Sequence, residues 1–279
     1  MLVPMRRSSL LTTVTLLALT ACSTPVEFRA LTANLRYGTA KDGDNAWPVR
    51  RELLAATIVT AAPTVLGVQE ALDFQLEFLA ERLPHHRRLG QGRDGGDRGE
   101  HAALFVDETA FEVVEHGDFW LSLTPDTPAS VGWDAALPRI CTWAHLRGRA
   151  SGRELRVWNL HLDHRGSEAR RESARLVAAR IAELPGPHLV LGDLNAGETS
   201  PPLVALREAG LRDTFRTLHP DAAAVGTFHG FRGGTAGDKI DYVLATREFE
   251  VVDAAILSEP GPGGRHPSDH HFVVATLRL

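Results

Sequence analysis

Six short polar groups interrupt otherwise apolar stretches of the chain. They are Asn34 in Thr-Ala-Asn-Leu-Arg-Tyr, Glu70 in Leu-Gly-Val-Gln-Glu, His161 in Asn-Leu-His-Leu-Asp-His, Asp193 and Asn195 in Gly-Asp-Leu-Asn, Asp241 in Lys-Ile-Asp-Tyr-Val, and Asp269-His270 in Pro-Ser-Asp-His-His. A hard divalent cation such as Mg²⁺ takes oxygen ligands, usually one or two carboxylates completed by water and a substrate phosphate. Asn34, Glu70 and Asp269 are of that type. The remaining residues suit phosphoester hydrolysis, which needs a base for water and donors for the charge that grows on the transferred phosphoryl group. Asp193 is the natural base. Asn195, two residues on in an extended segment, faces the same side and is an orienting partner. His161 and His270 are donors, each wanting a carboxylate to fix its tautomer and favour its cation; Glu100 and Asp241 meet that need. Singly, each group has a plainer reading: Gly-Asp-Leu-Asn is also a capped turn, Glu70 a helix cap, and Asp269-His270 a polar strand entrance.

What unites them is position, because each sits at the end of a strand-like run. Phe28 to Leu35 reads as a strand, and Arg51 to Ala62 as a helix stopped by Pro63. Thr64 to Val68 follows as a short buried strand, then a helix from Leu72 to Leu83 stopped by Pro84. The polar, glycine-rich stretch from His85 to Glu100 reads as a mobile loop. Strands at His101 to Val106, Phe111 to Glu115, Ile140 to Arg147 and Glu154 to Leu162 are spaced as a meander. A helix from Ser167 to Leu184 carries Ala174, Val177, Ala178 and Ile181 on one face, and His188 to Leu191 is a buried strand. A helix near Leu203 to Glu208 and strands at Ile240 to Ala245, Glu250 to Ile256 and Phe272 to Leu277 complete the chain. This alternation favours a layered α/β or α+β domain whose strand ends gather at one rim.

The 279 residues, 43% hydrophobic and 23% charged, are enough for one large domain and far from the composition of a disordered chain. Ahead of it, Arg6 and Arg7 precede an apolar run from Leu10 to Leu19 that ends in Leu-Thr-Ala-Cys22, the pattern of a secretory signal over residues 1–21. The run is shorter than the ~20 residues that span a bilayer. Leu-Thr-Ala-Cys resembles a bacterial lipobox, which implies a diacylglycerol on Cys22, a tether over 22–27, export to the cell envelope and anchorage to a membrane. Cys141, the other cysteine, lies in a strand-like run and reads as a core thiol. Loss of the signal takes the formal charge from −5 to −7, and only Lys41 and Lys239 are lysines. That argues against tight duplex-DNA binding, which rests on clustered cations.

In their order, the six motifs resemble those of the endonuclease/exonuclease/phosphatase superfamily over residues 28–279. The resemblance implies a monomeric α+β four-layer sandwich in which two packed, mostly antiparallel sheets are flanked by helices. It implies Mg²⁺ or Mn²⁺ at Glu70, with Asn34 and Asp269 nearby, and water activation by Asp193. Asn195 and His161 would contact the phosphate, His270 with Asp241 would stabilise it, and Glu100 would be the carboxylate partner of His161. Phe119-Trp120-Leu121-Ser122 through Gly132-Trp133 to Pro138-Arg139 resembles a stretch of a bacterial branch of the superfamily. There Arg139 would aim its guanidinium at phosphate. Trp133 would stack on a base or sugar, whereas Trp120 fits core packing better. The implied activity is hydrolysis of a phosphoester, with a phosphodiester ahead of a phosphomonoester, drawn from nucleic acid or nucleotides, phospholipid headgroups, or sugar and inositol phosphates. A surface lipoprotein using the fold only for binding is the competing reading, and the completeness of the residue set argues against it.

Overall fold

A computed structural model describes residues 25–279; the signal and the first half of the tether, Cys22 included, lie outside the described residues. The first three elements are β1 (Glu27–Asn34), α1 (Trp47–Ala61) and β2 (Val65–Gln69), with the helix carrying the chain between two parallel strands. α1 has Pro48 in its first turn and buries Trp47, Leu54, Ala55 and Ile58; it stops where Ala62 turns left-handed before Pro63. Next come α2 (Asp73–Ala80), β3 (His86–Leu89), β4 (Leu104–Asp107), β5 (Phe111–Trp120), β6 (Ile140–Gly148) and β7 (Glu154–His161). α3 (Ser167–Glu183) and β8 (His188–Asp193) repeat the parallel crossover. The chain ends with α4 (Pro201–Glu208), β9 (Arg212–Asp213), α5 (Thr214–Leu218), β10 (Asp241–Ala245), β11 (Glu250–Leu257) and β12 (Phe272–Arg278).

The strands form two six-stranded sheets, ordered β11-β12-β1-β2-β4-β3 and β5-β6-β7-β8-β10-β9. Each contains a single parallel pair, so the sheets are mixed and mostly antiparallel, as the sequence implied. Their inner faces meet in a core that includes Phe28, Leu104, Val157, Leu189, Val243 and Val273. On the outer face of the first sheet Leu31, Leu66 and Phe105 pack against Leu54, Ile58 and Leu76 of α1 and α2. On that of the second, Trp158 and Val190 pack against Val177 and Leu203 of α3 and α4. Burying such a side chain contributes about 1.5–3 kcal/mol, which gives the scaffold a margin to hold polar groups in its rim. Cys141 is a buried free thiol in this packing. No described helix is long and apolar enough to cross a membrane.

Three details differ from the sequence reading. The stretch from His85 to Glu100 is not a loose loop: His86–Leu89 pairs with β4 at the sheet edge, and the following turns are held by Arg93 N–H to Glu100 O (2.9 Å) and Gly92 N–H to Gly96 O (2.6 Å). β5 runs on to Trp120, and the supposed meander divides, since β4 belongs to the first sheet and β5, β6 and β7 to the second. Asn159, which opens the His161 motif and so falls among the strand-end polar groups, is a strut between the sheets. Its Nδ2 donates to the carbonyls of Val68 (3.0 Å) and Ala103 (2.8 Å), and its Oδ1 accepts from Gln69 (2.7 Å), joining the two sheets. Gly67 leaves room for it, because a Cβ there would lie 2.7 Å from Asn159 Oδ1.

Candidate active site

Strand register gathers the six motifs. Asn34 pairs with Gln69, next to Glu70; His161 pairs with Asp193, and Asp193 with Asp241. Val273 faces Thr32, so Asp269 and His270 fall just beyond the end of β1. The two parallel crossovers thus bring four strand ends to one rim, and the antiparallel neighbours add the starts of β10 and β12. The cleft at this rim has a volume of about 830 Å³, and Glu70, Glu100, Arg139, His161, Asp193, Asn195, Asp269 and His270 all line it.

Asp193 occupies the centre. A side chain at Gly192 would meet Leu160 O at 2.2 Å, so glycine is required for β8 to lie this close to β7. Asp193 Oδ1 accepts the Asn195 backbone N–H (2.9 Å), which fixes the carboxylate, and Oδ2 accepts from Asn34 Nδ2 (3.0 Å). Oδ2 lies 3.5 Å from His161 Nε2 and 3.9 Å from His270 Nε2. Burial, followed by the charge of Asp241, holds the Asp193 carboxyl well above the ordinary carboxylate range. His270 Nδ1 is 2.9 Å from Asp241 Oδ2. Burial opposes charge on this ring, yet Asp241, with Asp193 and Asp269, overrides it and raises the imidazole to about 10. His270 is therefore a cation at neutral pH, with Nε2–H on the Asp193 side.

His161 differs from the expectation. Asn195 Nδ2 donates to Leu162 O (3.0 Å), which orients its carboxamide, and the same Nδ2 donates to His161 Nε2 (3.0 Å). Burial and the nearby Arg139 hold His161 well below its ordinary range, so it is neutral with its proton on Nδ1. Glu100 does not pair with it: the Glu100 carboxylate accepts from Arg93 NH1 (2.7 Å). With two guanidiniums beside it, the carboxylate takes the nearer cation and His161 stays neutral.

Glu70 and Asp269 flank the opposite side. Glu70 has a left-handed backbone (φ 57°); its Oε1 accepts from Asn34 Nδ2 (3.1 Å) and its Oε2 from Tyr37 N–H (3.2 Å). Asn34 therefore ties Glu70 to Asp193 through one amide nitrogen, while its Oδ1 accepts the Arg36 backbone N–H (2.9 Å). Asp269 Oδ1 accepts from Ser268 Oγ (3.2 Å), and its Oδ2 is 3.7 Å from Arg36 Nε. Burial, with the charge of Glu70, raises the Asp269 carboxyl. Both carboxylates line the cleft and Asp269 feels the charge of Glu70, an oxygen-rich setting of the type a hard divalent cation takes. One Glu70 oxygen, with donor atoms of His161 and Asp193, forms a group within 4.8 Å.

Four further cleft residues fill the rim. Arg139, itself buried, is anchored by Asp163 Oδ2 (3.3 Å) and lies 2.9 Å from His164 Nδ1. Arg36 pairs with both oxygens of Asp42. Phe228 and Phe231 form an aromatic wall, with Phe228 half exposed and edge-on to His270 (centroids 5.1 Å). The Phe-His-Gly-Phe run at 228–231 was the sequence signal for this wall. Trp133 is half-buried and does not line the cleft, where Leu137 does. Trp120 is buried and its Nε1 donates to Arg93 O (2.6 Å). Arg50, a residue without a sequence signal, is 3% exposed and donates to the carbonyls of Leu35, Arg36, Asn45 and Pro267. It joins the loop after β1 to the segment before Asp269. Of the non-glycine residues with left-handed backbone, Arg36, Glu70, Asn195 and Phe231 line the cleft, a clustering of strain that marks functional sites.

The class this defines is a layered α/β sandwich with a carboxylate, histidine and amide centre at one rim. The chain belongs to the Endonuclease/Exonuclease/phosphatase family, whose model matches residues 31–270. It is 34% identical to a family member from Bacteroides thetaiotaomicron (TM-score 0.86, 92% of this chain and 96% of that one). It is 35% identical to a mannosyl-6-phosphatase from the same organism (TM-score 0.83, 90% and 99%). The catalytic domain of human nocturnin, 19% identical, shares the fold (TM-score 0.71, 92% and 96%). No curated protein sequence matches.

Proposed function

We propose that the protein is a divalent-metal-dependent phosphoester hydrolase whose substrate is a small phosphomonoester of sugar-phosphate size. The observation that carries this reading is Asp193 Oδ2, a buried carboxylate oxygen with the Asn34 amide, His161 and the His270 cation grouped around it. Asp193 takes the proton of the attacking water. The Asn195 carboxamide, whose Nδ2 is engaged by His161 and Leu162 O, orients that water through its Oδ1, which accepts. His270, held protonated by Asp241, and Arg139, held by Asp163, face the phosphoryl oxygens as charge builds on them. Glu70 and Asp269, with Asn34, would hold Mg²⁺ or Mn²⁺, and a bound cation would supply Lewis-acid charge neutralisation at the phosphoryl oxygens.

Size and charge favour a monoester over nucleic acid. The cleft falls in the range of small-molecule sites, and a formal charge of −5 disfavours a phosphate-tracking surface. The likeness to a mannosyl-6-phosphatase points the same way. A panel under Mg²⁺ tests this: mannose 6-phosphate, inositol phosphates, sphingomyelin, RNA and plasmid DNA. Phosphate release from the sugar phosphates at least tenfold faster than cleavage of the others is expected; preferential cleavage of a diester would refute the substrate class, and activity undiminished by EDTA would refute the metal. The lipobox-like Leu-Thr-Ala-Cys22 supports export and lipid anchorage in the cell envelope. Mass spectrometry of the membrane fraction tests it: a mature chain beginning at diacylglyceryl-Cys22 is expected, and an unmodified Cys22 would refute it.

A further inference from the structure

Next to the two segments that carry Phe228 and His270, three histidines converge, His229 from the first and His266 and His271 from the second. His229, His266 and His271 are all buried, with ring centroids 4.5 Å apart for His229 and His266, 4.0 Å for His229 and His271, and 5.7 Å for His266 and His271. One nitrogen from each lies within 4.8 Å of the others. Points so spaced are at most about 2.8 Å from a common centre; because the His229 and His271 rings are stacked at 24° and a lone pair lies in its ring plane, reaching the ~2.1 Å of a metal–imidazole bond takes rotation of one of these rings as well as shifts of under about 1 Å. His229 Nε2 is buried with no partner, a group that buried polar chemistry does not leave unused without reason. His271 Nε2 is 2.8 Å from Gly234 O, which places its proton there and leaves Nδ1 as a lone pair. A Cβ on Gly233 would lie 2.6 Å from His266 Nε2, so this glycine keeps the space beside the third ring open.

We propose that His229, His266 and His271 form a second metal site, distinct from the hydrolytic one, that takes a borderline-soft transition-metal ion of the Zn²⁺ class through three imidazole nitrogens. Nitrogen ligands select such an ion over Mg²⁺, which the oxygen set at Glu70 suits. Coordination at His229 Nε2 moves that ring's proton to Nδ1 and gives up the 3.2 Å bond that Nδ1 accepts from Gly233 N–H.

The site would act as a pin. His229 and Gly230 donate their backbone N–H groups to Asp269 O (2.9 and 3.1 Å), and His271 N–H donates to Thr227 O (2.7 Å). The ion would clamp the same two segments through their side chains, fixing the wall formed by Phe228 and Phe231 against the strand entrance that bears Asp269 and His270.

The test is Co²⁺ titration of the chelator-treated full domain followed by visible absorption, in a Glu70→Gln background and in Glu70→Gln/His266→Gln. His266 makes ring contacts but no side-chain hydrogen bond among the described residues, so its replacement is mild. The proposal expects intense tetrahedral Co²⁺ bands at one equivalent in Glu70→Gln, bleached by Zn²⁺, and their loss in the double variant. At a hundredfold excess over Kd, Zn²⁺ raises the melting temperature of Glu70→Gln by about 5 °C and leaves the double variant unchanged. The same titration of wild type in excess Mg²⁺ covers the case in which Glu70→Gln does not fold. Folded protein without tetrahedral bands, or bands that survive His266→Gln, would overturn the proposal. Hydrolysis retained in Glu70→Gln with Co²⁺ binding intact would count against the hydrolytic reading and not this one.

Discussion

Asp241→Asn separates the charge of His270 from its position. The amide keeps the shape of the carboxylate and can still accept from His270 Nδ1, but it removes the negative charge 2.9 Å away. Taking an effective dielectric of about 20, two unit charges at this distance attract by about 6 kcal/mol, equivalent to about 4 pH units. Subtracted from the value of about 10 that Asp241, Asp193 and Asp269 together sustain against burial, this leaves His270 near pH 6. The sign is set by function: His270 acts as a cation, so activity is lost as pH rises through its value. In wild type the basic limb of the kcat profile lies near pH 10; in Asp241→Asn it falls by several units. At pH 8 the variant then retains about one-hundredth of its cationic form. Losing a charged donor to the transition state costs on the order of a hundredfold or more in kcat. The assay is kcat against pH from 5 to 10.5 with p-nitrophenyl phosphate at saturating Mg²⁺. A kcat deficit that narrows toward pH 5.5, with KM changed by less than about threefold, is expected. A basic limb that stays in place in the variant would refute the ion-pair role of Asp241.

Arg139→Gln removes the guanidinium held by Asp163 and should lower kcat/KM for a phosphomonoester by about tenfold to a hundredfold, the scale of a lost charged hydrogen bond; an unchanged kcat/KM would remove Arg139 from the phosphate site. Lys239 is fully buried, 2.9 Å from Asp213 and over the Tyr242 ring, so Lys239→Met strands a carboxylate in the core. A loss of about 3–5 kcal/mol, a fall of about 10 °C in melting temperature, is expected; a loss below about 1 kcal/mol would mean that Asp213 finds water or another donor.

The sequence carried the order of the main elements, though not their division between the sheets, because its breakers sit where chain direction changes. Pro63 and Pro84 closed two helices, and the apolar runs before Asn34, Glu70, His161 and Asp193 were strands whose ends share a rim. β3 and β9 were missed because four and two residues of edge strand carry no alternating pattern of their own and form by pairing with β4 and β10. Residue identities in the cleft were legible; their couplings were not. Proximity of Glu100 to Arg93, against His161, depends on how the turns after β3 fold back, a long-range fact absent from local spacing. Likewise, the six motifs gave no sign of Arg50, whose role is to satisfy loop carbonyls that only the folded chain brings together.

The most direct test of the account is single-turnover hydrolysis by Asp193→Asn. The substitution preserves size and the bond that Oδ1 accepts from Asn195 N–H, while removing the base. With Mg²⁺ and a sugar phosphate, the rate of the chemical step should fall by a hundredfold or more, on the scale of a lost general base, while substrate Kd moves by less than about threefold. A variant that binds normally and turns over at the wild-type rate would contradict the assignment of Asp193 and with it the proposed site.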